Sequence, residues 1–301
     1  MKSLKENINQ FKVEKIDLRS SFDEEYQNQD FKYLVDKLKL SKDILCKYTS
    51  LLKTSSEEYS HCRECKGLVA CKNKINGYAY LPKINNDKLE FQYKACKYQE
   101  KKIKELKYLD NIYLYEVPDQ IKKAAMKDIY TKDKNRFEVI KWLTEFIDDY
   151  KNRTKGLYLY GSFGCGKTYL IAAMFNELAK KNVKSAIVFW PEFLRDLKSS
   201  FNTDFNTKFK RIKKVPLLLI DDIGAESLTS WNRDEILCPL VQYRMQEKLP
   251  TFFTSNLDIK SLEKHLSSSK EEIDALKARR VIERIKQLSE EKQIVSKNLR
   301  D

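Results

Sequence analysis

With 301 residues, 42% hydrophobic and 34% charged, the chain has the composition of a globular protein with room for one sizeable core and a smaller second unit. No apolar run approaches the roughly 20 residues of a membrane-spanning helix, and the start, MKSLKENINQFKVEK, lacks the apolar stretch and cleavage site of a secretory signal, so a cytoplasmic protein without membrane partners is expected. The net charge of +14 favours polyanionic partners such as nucleic acid, though the excess is spread along the chain.

The first 60 residues are polar, with Phe31, Leu34, Val35, Leu38 and Leu40 at helical spacing, which predicts short amphipathic helices. Between His61 and Cys96 lie four of the seven cysteines and a hairpin-like stretch from Tyr78 to Tyr93. In a reducing compartment such a cluster points to a metal rather than to disulfides. Cys62 and Cys65 sit two residues apart on a tight turn, and Cys71 and Cys96 complete four thiolates, a set that fits a closed, structural zinc site. His61 is an alternative ligand to Cys71. Cys46 and Cys238 lie in apolar helical surroundings and are expected in the core. A lysine-rich helix or linker follows from Lys97 to Asn111, and Val117-Pro118-Asp119 has the form of a helix start.

From Gly156 onward short apolar strands alternate with helices: Leu157 to Tyr160, Ala186 to Trp190, Leu217 to Ile220 and Thr251 to Thr254. This predicts an α/β fold with a parallel sheet and helices on both faces. After the first strand, Gly161-Ser162-Phe163-Gly164-Cys165-Gly166-Lys167-Thr168 fits G-x-x-x-x-G-K-[ST], and with Tyr169 it is the expected phosphate cradle. Glycines let backbone N–H groups face an anion, and the next helix presents its positive end. Lys167 is expected on the β- and γ-phosphates and Thr168 on Mg²⁺. Cys165 is read as a space-filling residue.

The strand Leu217 to Ile220 delivers Asp221 and Asp222 to the sheet edge. Asp221 is the expected second Mg²⁺-side ligand and Asp222 the group that orients or deprotonates the attacking water. The strand Thr251 to Thr254 ends at Ser255-Asn256, and Asn256 is expected to sense the γ-phosphate or hold the water. Near the end, Arg280 and Arg284 stand four residues apart on one helical face, where arginine can stabilise charge on a transferring phosphoryl group or simply face solvent. The run Lys208 to Lys214, preceded by Phe201 and Phe205, has the basic and aromatic character of a single-strand track, with Lys210 and Arg211 expected to face a central channel; a solvated connector is the competing reading.

Together, the Cys62/Cys65/Cys71/Cys96 unit, Tyr158 to Thr168, Leu219 to Glu226, Leu249 to Asn256 and Ala278 to Ile285 resemble the bacterial helicase loaders, AAA+ ATPases of the DnaC/DnaI type. The zinc unit followed by this ATPase points to the primosomal DnaI branch of low-GC Gram-positive bacteria. The resemblance implies a mainly helical, zinc-holding N-terminal domain (1–106) that docks on the replicative helicase hexamer, a linker and lead-in helix (107–135), and an AAA+ domain (136–301) that binds ATP, Mg²⁺ and single-stranded DNA. It implies self-association into a ring or spiral on the helicase, contact with other primosome proteins, and work at the nucleoid. Arg280 then resembles the arginine finger reaching a neighbour's ATP, and Arg284 a second sensor, an assignment that could be exchanged. The family's acidic pair ends in Glu, whereas this one ends in Asp222, a shorter arm consistent with slow hydrolysis. Two other readings are a transposition ATPase of the same clade, which the zinc unit disfavours, and a nucleotide-dependent scaffold that does not hydrolyse.

Overall fold

The computed structural model describes residues 17–85, 88–199, 204–267 and 272–299, and the chain divides into one unit ending at Leu106 and a second running from Lys107.

In the first unit, helices α1 (Leu18–Glu25), α2 (Gln29–Leu38), the short α3 (Lys42–Leu45) and α4 (Thr49–Arg63) precede an antiparallel hairpin of β1 (Tyr78–Asn85) and β2 (Lys88–Ala95); α5 (Lys97–Leu106) follows. Asn28 starts α2 by accepting the N–H groups of Asp30 and Phe31, two donors the first helical turn leaves without intrahelical partners. The core is small. Phe22, Phe31, Val35, Leu45, Cys46 and Leu52 meet Leu89 of the hairpin. Glu58 of α4 is buried, and its carboxylate accepts the Tyr80 N–H (2.6 Å) and the Lys74 N–H (3.3 Å). That bond pair pins the cysteine-bearing loop to the helix.

The second unit is built on a six-stranded sheet. Its strands are β3 (Ile112–Tyr115), β4 (Gly156–Gly161), β5 (Ser185–Phe189), β6 (Leu217–Asp221), β7 (Thr251–Ser255) and β8 (Ser289–Ile294), in the order β3-β5-β6-β7-β4-β8 with every pair parallel. Helices α6 (Asp119–Lys122), α7 (Phe137–Asp149), α8 (Lys167–Lys180), α9 (Trp190–Ser199), α10 (Phe205–Lys214), α11 (Cys238–Gln246), α12 (Ile259–Leu266) and α13 (Glu272–Leu288) connect them, and a π-helical stretch, Trp231–Leu237, runs into α11.

Alternation along the strands sorts the core onto two faces. Leu157, Leu159, Leu217, Leu219 and Phe252 face α7 and α8, while Tyr158, Leu218, Ile220 and Phe253 face α9, α11, α12 and α13. The Phe252 ring stands edge-on to Trp142, Phe146 and Phe175 at centroid distances of 6.1, 5.1 and 5.2 Å; such pairs contribute about 0.5–1.5 kcal/mol each beyond area burial. Arg244 of α11 is fully buried and donates to the carbonyls of Ile212, Lys213, Val215, Pro216 and Pro250 and to Thr251 Oγ1. It satisfies the chain entering β6 and β7.

The four predicted strands are present, and two more complete the sheet. β8 reads Ser-Glu-Glu-Lys-Gln-Ile, because an edge strand wetted on one side needs no apolar run. β3 lies in 107–135, expected as linker and lead-in helix; instead it pairs with β5 and the segment joins the sheet. Pro118 caps α6 as its sequence suggested, but that helix is a single turn. Among the described residues no helix is long and apolar enough to cross a membrane.

Candidate nucleotide site

The parallel sheet brings the carboxyl ends of β4, β6 and β7 side by side, the place where open α/β sheets bind ligands. Gly161 ends β4, and Gly166 immediately precedes α8 with φ of 87°, a left-handed geometry that glycine adopts without a Cβ penalty. The chain thereby turns from strand to helix within five residues, leaving the N-terminus of a 14-residue helix at the loop.

Lys167, the first residue of α8, is buried at 9% exposure and turns back over the loop. Its Nζ donates to Gly161 O, Ser162 O and Asn256 Oδ1, each at 2.9 Å. The Thr168 hydroxyl donates to Asp221 Oδ1 at 2.6 Å, and Thr254 Oγ1 donates to the same oxygen at 2.5 Å. Burial pushes the Asp221 carboxyl above its ordinary value, opposed by these two hydroxyls and by Lys167, and Asp222 adds to the rise. Asp222 has a φ of 59°, its N–H donates to Thr254 Oγ1 at 2.9 Å, and its Oδ1 accepts from Asn256 Nδ2 at 3.2 Å. The chain therefore bends sharply after β6, and Asn256 links the lysine to the second carboxylate.

These groups line one cavity of about 960 Å³, within the size range of small-molecule and cofactor sites. Phe163, Gly164, Gly166, Lys167, Thr168, Tyr169, Asp221, Asp222 and Asn256 all border it. Phe163 is 76% exposed, and Cys165 is fully buried with its carbonyl accepting from Arg136 Nη1 at 2.5 Å. The donor set fits a nucleoside triphosphate with a divalent cation: a backbone loop and an ammonium for phosphate oxygens, and a buried carboxylate beside a hydroxyl for the ion.

Sequence reasoning missed the far wall. Val117, Pro118, Ile121, Tyr130, Arg136 and Leu299 also line the cavity. They come from the segment before α7 and from the chain after β8, and no spacing in the sequence links them. Arg136 is 1% exposed, burial lowers the proton affinity of its guanidinium, and its Nε has no hydrogen-bond partner among the described residues.

Arg280 and Arg284 do not border this cavity. Arg284 lies against α11, donating to Gln242 Oε1 and, at 3.5 Å, to Cys238 Sγ, and it donates to Arg280 O at 3.0 Å. In the basic stretch, Lys208 pairs with Asp196 at 2.5 Å and the Arg211 guanidinium lies 4.6 Å from the Tyr113 ring centroid. Phe205 and Phe209 stack on each other and pack against the core, so the track does not present Phe205 as the free stacking platform expected of it. Lys210 is exposed; Phe201 lies outside the described residues.

In the first unit Cys62, Cys65, Cys71 and Cys96 line a second cavity of about 330 Å³. Asn73 Nδ2 donates to Cys62 Sγ at 3.4 Å and Gly77 N–H to Cys71 Sγ at 3.3 Å. His61 is outside this lining; its Nδ1 meets Asn73 Oδ1 at 3.3 Å. Among the described residues no three His, Cys, Asp or Glu side chains are drawn together as a ready metal centre. Of the two cysteines expected in the core, Cys46 is buried, whereas Cys238 is only partly so.

A family model described as the bacterial DnaA ATPase domain matches residues 125–272. The replicative helicase loader DnaI of Bacillus subtilis (strain 168) is 36% identical over 233 residues, which cover 76% of this chain and 75% of that protein. A crystal structure of DnaI superposes with a TM-score of 0.58 at 45% identity, covering 64% of this chain and 98% of that one. A putative primosome component from Streptococcus pyogenes serotype M3 gives 0.55 at 34%, covering 64% and 96%. With a P-loop, a strand-borne acidic pair and this likeness over three quarters of its length, the chain belongs to the DnaI family of replicative helicase loaders.

Proposed function

We propose that this chain is an ATP-driven loader that places the replicative DNA helicase on single-stranded DNA during replication initiation or restart. The observation that carries the reading is the meeting of Lys167, Thr168, Asp221, Asp222 and Asn256 in one cavity of a chain whose family is that of helicase loaders. The loop from Gly161 to Thr168, with Tyr169, would hold the phosphates. Lys167 would exchange its bonds to Gly161, Ser162 and Asn256 for phosphate oxygens. Thr168 and Asp221 would hold Mg²⁺, which when bound offsets phosphate charge. Asp222, steered by Asn256, would orient or deprotonate the attacking water. The apolar wall of Val117, Pro118, Ile121 and Tyr130 suits a purine ring.

Arg280, on a helix away from the cavity, would act on the nucleotide of a neighbouring copy in a ring or spiral. Arg284, held against Gln242, would order that helix. ATP consumption then drives assembly and release of the loader rather than chemistry on a substrate. The first unit would dock on the helicase hexamer, its four cysteines holding a structural zinc ion; the two N–H donors on Cys62 and Cys71 sulfur suit thiolates. Exposed Lys210 and Lys214 would meet single-stranded DNA by phosphate contact rather than by base stacking. The ATPase unit would run from Lys107, because 107–135 supplies β3 to the sheet and Val117, Pro118, Ile121 and Tyr130 to the cavity. Work at the nucleoid, with other primosome proteins, in the cytoplasm follows from the same reading.

The test is size-exclusion chromatography with mass determination on this protein and its own organism's replicative helicase, with ATP and without. A complex supports the loader. Absence of any complex in every nucleotide state rejects it and favours the transposition ATPase.

A further inference from the structure

The chain after β8 crosses back over the phosphate loop. The Leu299 N–H donates to Gly164 O at 3.0 Å, and the Ser162 hydroxyl donates to Ser296 O at 3.4 Å. Lys297 Nζ lies 5.3 Å from the centroid of the Tyr130 ring, on the opposite wall of the cavity. Residues 296–299 thus touch both walls, the loop on one side and the segment before α7 on the other. Gly164 sits with a φ of 73°, and a Cβ there would stand 1.7 Å from Asn298 Oδ1; the glycine leaves the space the asparagine fills. A Cβ on Gly166 would lie 3.6 Å from Leu299 Cδ1 and 3.4 Å from Arg136 Nη2. Leu299 is half-buried and borders the cavity, and the cavity retains about 960 Å³ with the segment in place.

We propose that residues 296–299 form a strap that completes the nucleotide site, with Leu299 as an apolar contact for the bound nucleotide and Asn298 docked on Gly164 as its anchor. The inference rests on the cavity being an ATP site. Because the strap walls the cavity without filling it, it retains nucleotide rather than excluding it. One of its bonds, from the Leu299 N–H, is to the loop carbonyl of Gly164, and the other comes from the Ser162 hydroxyl, so two separate points of the loop hold it. Its grip on Gly164 and Tyr130 joins loop and lead-in segment, the two walls a leaving nucleotide must part.

The test is stopped-flow fluorescence with an N-methylanthraniloyl derivative of ATP and Mg²⁺. It compares the full chain, Leu299→Ser, Asn298→Ala and a chain ending at Ile294. The expected result is dissociation roughly tenfold faster in Leu299→Ser and in the shortened chain, the loss of one leucine-sized apolar contact, with association changed by less than about threefold. Asn298→Ala falls between. If the shortened chain does not fold, as judged by circular dichroism, the single substitution Leu299→Ser at the half-buried cavity edge decides alone. Unchanged dissociation in Leu299→Ser overturns the strap and leaves the ATP site standing. Faster association and tighter binding on removal overturns it too, by showing an obstruction. Failure of the full chain to bind the probe removes the ATP reading itself, and the strap with it.

Discussion

Thr168 donates its hydroxyl to Asp221 Oδ1 over 2.6 Å, tying the first turn after the P-loop to the end of β6. The carboxylate that would serve a cation is thus buried and held by neutral hydroxyls, Thr254 being the second.

Without nucleotide that arrangement costs stability at neutral pH. Burial raises the Asp221 pKa, so the folded state favours the protonated form. A carboxyl raised in this way stabilises the fold most fully below its unfolded value, and that contribution is lost as pH rises through the raised value. Asp221→Asn, which keeps an acceptor for both hydroxyls, should therefore melt about 2–4 °C above the parent near pH 7.5. The gap should narrow as pH falls toward the ordinary aspartate value, while ATP turnover is lost. A lower melting temperature for the variant in nucleotide-free buffer would contradict this.

Asn256 receives Lys167 Nζ and donates to Asp222, so it positions both without replacing either. Asn256→Ala should lower kcat about 10- to 100-fold, with nucleotide affinity changed only a few-fold. Steady-state turnover and a binding titration, run on the same preparation, separate the two. A variant that loses binding in proportion to turnover would assign Asn256 to affinity instead.

If the four thiols of the first unit hold zinc, a colorimetric chelator should release about one equivalent per chain after thiol modification. Cys62→Ser and Cys71→Ser should each lower metal content and the melting temperature of that unit, and His61→Ala should not. Full metal content in Cys71→Ser together with loss in His61→Ala would exchange the fourth ligand.

Arg244 donates to five carbonyls from a fully buried position. Arg244→Met strands those acceptors and should cost about 3–5 kcal/mol of unfolding free energy, read from urea titration of the whole protein. A cost below about 1 kcal/mol would mean that water reaches these carbonyls.

That the glycine loop, the acidic pair and Asn256 end neighbouring strands was legible in sequence, because each closes an apolar strand whose ending is written in adjacent residues, and they border one cavity. Residue order alone also yielded the alternation that makes a parallel sheet, the clustered cysteines and the family likeness. β8 was not legible, because an edge strand buries one face only and Glu290, Glu291 and Lys292 carry no apolar signal; β3 does carry an apolar run, Ile112 to Tyr115, but at four residues it is too short to stand out from the lead-in segment around it. Phe205 looked like a stacking platform until its ring was found on the core, since periodicity does not say which face of a short helix is covered. The far wall of the cavity, Ile121, Tyr130, Arg136 and Leu299, was settled only by tertiary structure. Those residues lie up to 178 positions apart (299 − 121) and meet because β8 runs parallel beside β4 and returns the chain to the loop, a closure that depends on packing over the whole sheet rather than on any neighbouring sequence.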